Sequence, residues 1–174
     1  YLKIDSMLGD EKFLKSLVSH ARKFGISIIL DGVFYHTGDD SVYFNKYGQY
    51  PSLGAYQSKD SPYYSWYKFE EFPEKYASWW GIDVLPEVKE DNPSYNKFIN
   101  GENGVIEHYT KLGIGGWRLD VADELTTDFL INLRKAVKRV NPDAIIIGEV
   151  WEDATNKISY NERRSYFLGN QLDS

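Results

Sequence analysis

Three short apolar runs in this sequence each lead into an acidic residue. Ile26-Ser27-Ile28-Ile29-Leu30 runs into Asp31, Gly116-Trp117-Arg118-Leu119 into Asp120, and Ala144-Ile145-Ile146-Ile147 into Gly148-Glu149. A strand that delivers a carboxylate at its C-terminal end is how an α/β enzyme places its chemistry, because the loops there form the active face. Arg118 and Asp120 are two residues apart and project from the same side of their strand. The guanidinium is expected to keep Asp120 ionised and fix its orientation, as a carboxylate nucleophile requires. Glu149, followed by Val150 and Trp151, is expected to sit in an apolar pocket with a raised pKa and to serve as an acid. One carboxylate that attacks and another that protonates the leaving oxygen are what glycoside hydrolysis needs. Two other uses compete. A strand-end ion pair can simply stabilise a fold, but three acids crowded on one face cost energy that proteins accept mainly at functional sites. Metal binding is the second, yet His20, His36 and His108 are scattered and no HExxH or EF-hand pattern occurs. Serine nucleophile elbows and phosphate-binding loops are absent as well.

The elements that must position these acids follow from periodicity. From Asp10, the residues Phe13, Leu14, Leu17, Val18, Ala21 and Phe24 recur at helical spacing, with Gly25 as the stop. The strand 26–30 follows at once, and its unbroken apolar run fits burial on both faces of a parallel sheet. Residues 38 to about 92 show no sustained period and are rich in Gly, Pro, Ser, Asn and aromatics. An insertion this long is functional or a small domain of its own. Asn92-Pro93 reads as a helix start. Gly104–Leu112 is a second short helix, closed by Gly113, and the strand 115–120 comes next. Thr127 is placed to cap the helix that carries Phe129, Leu130, Leu133, Ala136, Val137 and Val140, and Pro142 stops it. The third strand, 144–147, is expected to be buried. The polar tail from Glu152 onward reads as loop plus a short helix. Alternation of strand and helix predicts α/β structure with a parallel sheet and right-handed crossovers.

Composition narrows the function classes. The chain has 174 residues, 20 basic and 26 acidic, with a net charge of −6 and no basic stripe, so nucleic acid is not an expected partner. No apolar run reaches the length that spans a bilayer, and no membrane partner is expected. Cysteine is absent, which excludes disulfides and thiolate metal sites. Fourteen of the 28 aromatic residues fall between Tyr43 and Trp80. Such a concentration suits a surface that stacks on sugar rings, or a packed mini-domain.

The stretches Asp31-Gly32-Val33-Phe34-Tyr35-His36, Gly116-Trp117-Arg118-Leu119-Asp120 and Gly148-Glu149-Val150-Trp151 resemble three ordered motifs of the α-amylase family of glycoside hydrolases. Leu85-Pro86-Glu87 resembles the short extra motif in that family's long insertion. Trp117-Arg118-Leu119-Asp120-Val121-Ala122 followed by an acidic pair is similar to the neopullulanase, cyclomaltodextrinase and amylopullulanase group. The resemblance implies a partial (β/α)8 TIM barrel, strands three to five, with an irregular insertion after the first of them. It divides the chain into a barrel segment at 1–37, an inserted aromatic-rich domain at 38–103 and a second barrel segment at 104–174. It implies a retaining hydrolase acting on an α-glucan such as maltodextrin, starch, pullulan or cyclodextrin. Asp120 would be the nucleophile, Glu149 the general acid/base and Arg118 the orienter of the nucleophile. Asp31, His36, Tyr35, Glu124 and Trp151 would contact sugar. No cofactor is implied. Calcium-binding members carry Asn where Tyr35 stands and Lys-His where Asp123-Glu124 stand, so a calcium site is not expected, although Glu124 retains a ligating oxygen. The alternative is a non-catalytic, amylase-like module for carbohydrate binding or assembly; retention of Asp120, Glu149 and Arg118 argues for the enzyme. At 174 residues the chain is shorter than the roughly 250 of a whole barrel. An internal piece, inactive alone and prone to self-association, is the expectation, with the cytoplasm as its compartment.

Overall fold

The computed structural model describes residues 1–151 and, further on, the backbone of residues 158–159 and 162–163. The chain divides into two compact units, one made of residues 1–32 and 96–174, the other of residues 33–95.

The first unit holds a three-stranded parallel sheet. Its strands are β1 (Ile29–Gly32), β4 (Gly116–Leu119) and β5 (Ile145–Gly148), in the order β1-β4-β5. Helix α1 (Glu11–Arg22) precedes β1 and is capped by Asp10, whose Oδ1 accepts the Phe13 N–H at 2.8 Å. Its C-terminal end corrects the expected start of the first strand. Gly25 takes φ +72°, its N–H goes to Arg22 O, and the Ile26 N–H reaches back to Ala21 O at 3.1 Å. That double bond to the helix end is the Schellman arrangement. It uses the Ile26 donor and holds the residue outside the sheet, 57% exposed, so β1 starts three residues later than the apolar run.

Burial is deepest on β4, where Trp117 and Leu119 on one face and Gly116 on the other are buried and Arg118 is half-buried, and less complete on its neighbours. Ile29 and Leu30 of β1 are half-buried, and Ile145 of β5 is 41% exposed. Among the described residues β4 alone has a strand on each side, which is the physical difference. Helix α4 (Thr127–Val140) lays Phe129, Leu130, Leu133, Ala136 and Val137 into the core. Its cap is Thr126, not Thr127, with Oγ1 accepting the Phe129 N–H at 3.4 Å. Helix α3 (Val105–Lys111) joins β4 through Thr110, whose hydroxyl accepts the Trp117 Nε1–H at 3.1 Å. Helix α2 runs Pro93–Asn100 as expected, its start held by Asn92 Oδ1, which accepts from the Ser94 and Tyr95 N–H groups. Two-residue strands β6 (Ile158–Ser159) and β7 (Glu162–Arg163) pair antiparallel; the remainder of the tail, read as loop and short helix, lies outside the described residues.

The second unit has little regular structure: two single-turn 3-10 helices at Tyr64–Trp66 and Trp79–Gly81, and a hairpin of β2 (Phe69–Glu71) with β3 (Lys75–Tyr76). An aromatic nest holds it together. The Phe44 ring, fully buried, lies 4.8 to 6.0 Å from the rings of Tyr76, Tyr67, Tyr56 and Phe69. Many of the clustered aromatics therefore build a core, and Tyr47, Tyr50 and Trp80 are among the exceptions that reach solvent. Asn45, buried beside Phe44, adopts φ +51° and uses its Nδ2 to bind Tyr50 O, Ser52 O and Gln57 Oε1. These bonds pin the loop in place of a ladder.

Candidate active site

The sheet register sets the site. Asp31 on β1 sits directly across from Arg118 on β4, and Arg118 directly across from Ile147 on β5. Two residues further along, on the same side of the sheet, come Asp120 and Glu149. Parallel pairing thus brings all three acids to one end of the sheet, in strand order.

Arg118 stands among them. Its Nη1 donates to Asp31 Oδ1 at 2.8 Å and Oδ2 at 3.0 Å, and to Asp120 Oδ1 at 2.8 Å. Its Nη2 pairs with Glu149 Oε2 at 2.8 Å. Because Glu149 shares the guanidinium, the expected contrast between one Arg-paired acid and one unpaired acid does not hold. One cation faces three carboxylates, which holds Arg118 firmly protonated, chiefly through Asp31 and then Asp120, against the opposing effect of desolvation. Asp31 is the most exposed of the acids, at 57%, against 25% for Asp120 and for Glu149.

Glu149 departs from expectation in its surroundings too. Trp151 does not form an apolar wall. Its indole Nε1–H donates to Glu149 Oε1 at 2.9 Å, and the Val121 N–H donates to Oε2 at 3.0 Å. The Trp151 bond first, and the Val121 bond next, hold the Glu149 carboxyl below the usual glutamate range, outweighing desolvation, with help from Arg118. The reason is donor count: both oxygens are bonded, and every donor favours the ionised form. The sequence offered no sign of the Val121 contribution, because a backbone donor carries no residue signature.

The remaining candidates are placed as follows. Asp123 and Glu124 lie in the turn after β4, where the Glu124 N–H bonds Val121 O at 2.9 Å. Tyr35 and His36 belong to the second unit, where the Leu85-Pro86-Glu87 motif runs antiparallel beside them. His36 pairs with Glu87, Tyr35 O accepts the Val88 N–H at 3.0 Å, and Pro86 O accepts the Thr37 N–H at 3.1 Å. The His36 ring lies 5.7 Å from that of Trp79. Two motifs far apart in sequence, with His36 across from Glu87, are thus joined by backbone bonds. Among the described residues, no group of three or more His, Asp or Glu side chains is arranged to hold a metal ion.

A carboxylate beside an arginine, with a second carboxylate at the end of the next strand, is a pairing of the kind that acid/nucleophile cleavage of a glycosidic bond employs. Comparison with known proteins points the same way. Residues 1–167 match the family model described as alpha amylase, catalytic domain. The amylopullulanase of Thermoanaerobacterium saccharolyticum is 41% identical over 194 residues, an alignment that takes in 99% of this chain and 15% of that protein. Neopullulanase 2 of Thermoactinomyces vulgaris is 34% identical across 100% of the chain and 28% of its own length. Among solved structures, the debranching enzyme of Nostoc punctiforme superposes with a TM-score of 0.79 at 33% identity, over 99% of this chain and 35% of that one. The chain therefore spans well under half the length of the relatives it matches.

Proposed function

The chain belongs to the alpha-amylase family through its catalytic domain, and from that premise we propose that it contributes the nucleophile and the acid/base of a retaining hydrolase of α-glucans. The observation that carries the reading is the Arg118 guanidinium bonded to Asp31, Asp120 and Glu149 at the ends of three parallel strands. Asp120 attacks the anomeric carbon and forms a covalent glycosyl ester, while Glu149, in the protonated fraction that its lowered pKa leaves, gives its proton to the departing glycosidic oxygen. Glu149, now ionised, then takes a proton from water, which hydrolyses the ester and returns Asp120 to its starting state. Arg118 fixes the attacking oxygen and disperses the charge that shifts between the acids. Within the first unit, Asp31, Glu124 and Trp151 are assigned to contact with the sugar; Tyr35 and His36 of the second unit are sugar-contacting candidates in their own right. The names of the relatives, amylopullulanase and neopullulanase, support an α-glucan as substrate.

The test is hydrolysis of maltoheptaose and pullulan by the full-length protein. Asp120→Ala is expected to lower kcat at least about a thousandfold, as loss of one member of a catalytic set does. The first product, followed by NMR, should keep the α configuration. Binding of maltoheptaose with no turnover in the unaltered protein would instead identify a carbohydrate-binding module. Calcium plays no part in this reading. Dialysis against EDTA should leave kcat within about twofold, since Tyr35 and Asp123-Glu124 depart from the calcium-binding pattern; a loss restored by added calcium would refute that.

A further inference from the structure

The turn that follows Asp120 breaks the rhythm of the sheet in a way that serves Glu149. In a parallel ladder, donors on one strand alternate, so every second residue bonds the neighbour. Between β4 and β5 the register holds from Gly116 across from Ile145 to Leu119 across from Gly148, and the Glu149 N–H closes on Leu119 O at 2.9 Å. The next donor in that rhythm is the Val121 N–H, and its acceptor is Glu149 O. It is not used. Glu149 O accepts from Ala122, one residue later, at 3.1 Å. One extra residue on β4's side of the pair is a bulge. The inserted residue is Val121, and it carries φ +40°. That left-handed value is unfavourable for a β-branched side chain, so the surrounding structure must impose it. The bulge frees the Val121 N–H, which donates to Glu149 Oε2 at 3.0 Å.

We propose that Val121 is a positioning residue, the inserted residue of a β4–β5 bulge whose N–H is withdrawn from the ladder and holds the Glu149 carboxyl in place for proton transfer. The bulge thereby ties the acid/base to the residue next to the nucleophile. One backbone kink fixes both Asp120, which precedes it, and Glu149, which it binds. The Val121 side chain plays no part in this; the donor and the φ do. The inference rests on Glu149 acting as acid/base.

Among the described residues, the charged groups around Glu149 include Arg118 of β4 and Asp120 just after it, with Asp31 of β1 reached through Arg118. Against that background the backbone donor is tested by removing it alone. In the full-length protein, Val121 is replaced by its α-hydroxy acid, so that an ester oxygen stands in place of the N–H. The expected result is a fall in kcat of roughly tenfold, as for a lost bond to a charged group, with KM little changed. The basic limb of the kcat/KM profile should move to higher pH, because the ionised acid loses a donor. The position of that limb is independent of how much of the preparation folds. A second measurement needs no substitution at Val121. With valine labelled by 15N, the Val121 amide resonance should titrate at the pH of that limb, and Glu149→Gln should abolish the titration. An unmoved limb, or an amide blind to Glu149, would overturn the proposal while leaving Glu149 as acid/base intact. Full activity in Glu149→Gln would instead remove the functional reading beneath it.

Discussion

At the scale of single residues, the site is defined by one cation shared among three acids. A lysine ammonium has the charge of Arg118 but not its planar fork, and it cannot bond Asp31, Asp120 and Glu149 together. Arg118→Lys is therefore expected to lower kcat/KM by roughly a hundredfold or more, with the protein still folded, as near-UV circular dichroism would report. Trp151 gives a sharper test. Glu149 acts as an acid only while protonated, so activity is present below its pKa and lost as pH rises through it. The indole donor favours the ionised form and holds that pKa low. Trp151→Phe removes the donor, and the basic limb of kcat/KM should shift upward; a downward shift would show that Trp151 acts by packing instead. Arg118, Asp120 and Glu149 were legible as a group because strand parity and an acid at each strand end are written in the sequence. The ionisation of Glu149 was not, since Trp151 reads as an apolar neighbour until its Nε1 is seen to point at Oε1.

At the scale of elements, α3 and α4 are joined by an ionic cluster that periodicity could not disclose. Glu107 of α3 is 3% exposed. Burial would raise its pKa, but the Asn103 N–H, Lys111 and Arg139 overcome this and bring it to about 2. Arg139 comes from α4, with Nε donating to Oε1 at 2.5 Å. Glu107→Gln should cost about 2–3 kcal/mol, a drop in Tm of roughly 5–10 °C. The sign with pH follows from the depressed pKa. The contribution is complete above the ordinary value of 4.5 and fades as pH falls toward 2, so the Tm gap between variant and parent should narrow at pH 3. Sequence periodicity placed α1, α2, α3 and α4 well, because each carries a cap or a glycine stop at a readable position. It misplaced the start of β1, because an apolar run does not reveal that Ile26 is held by a helix end. Residues 38–92 had no period to read; their order comes from ring packing around Phe44 and side-chain bonds from Asn45, which are long-range facts.

At the scale of the whole molecule, the sheet of the described residues ends at β1 on one side and β5 on the other, and strand margins offer backbone groups to other chains. Residues 1–174 expressed alone are expected to self-associate with rising concentration, seen by light scattering, and to turn over maltoheptaose at least about a hundredfold more slowly than the full-length protein. A monodisperse monomer with parental activity would contradict both. The aromatic nest has an optical consequence. Trp66, buried in the second unit, lies 4.9 Å from the Tyr63 ring, 5.0 Å from Tyr95 and 5.4 Å from Tyr43. Light absorbed by these tyrosines should be handed to the indole and leave as tryptophan fluorescence. The other deeply buried indole, Trp117, belongs to the first unit, with the Tyr109 ring 6.3 Å away. In a Trp117→Phe variant, tyrosine emission rising during a urea titration would time the opening of residues 33–95, giving that unit a spectroscopic clock with no label attached.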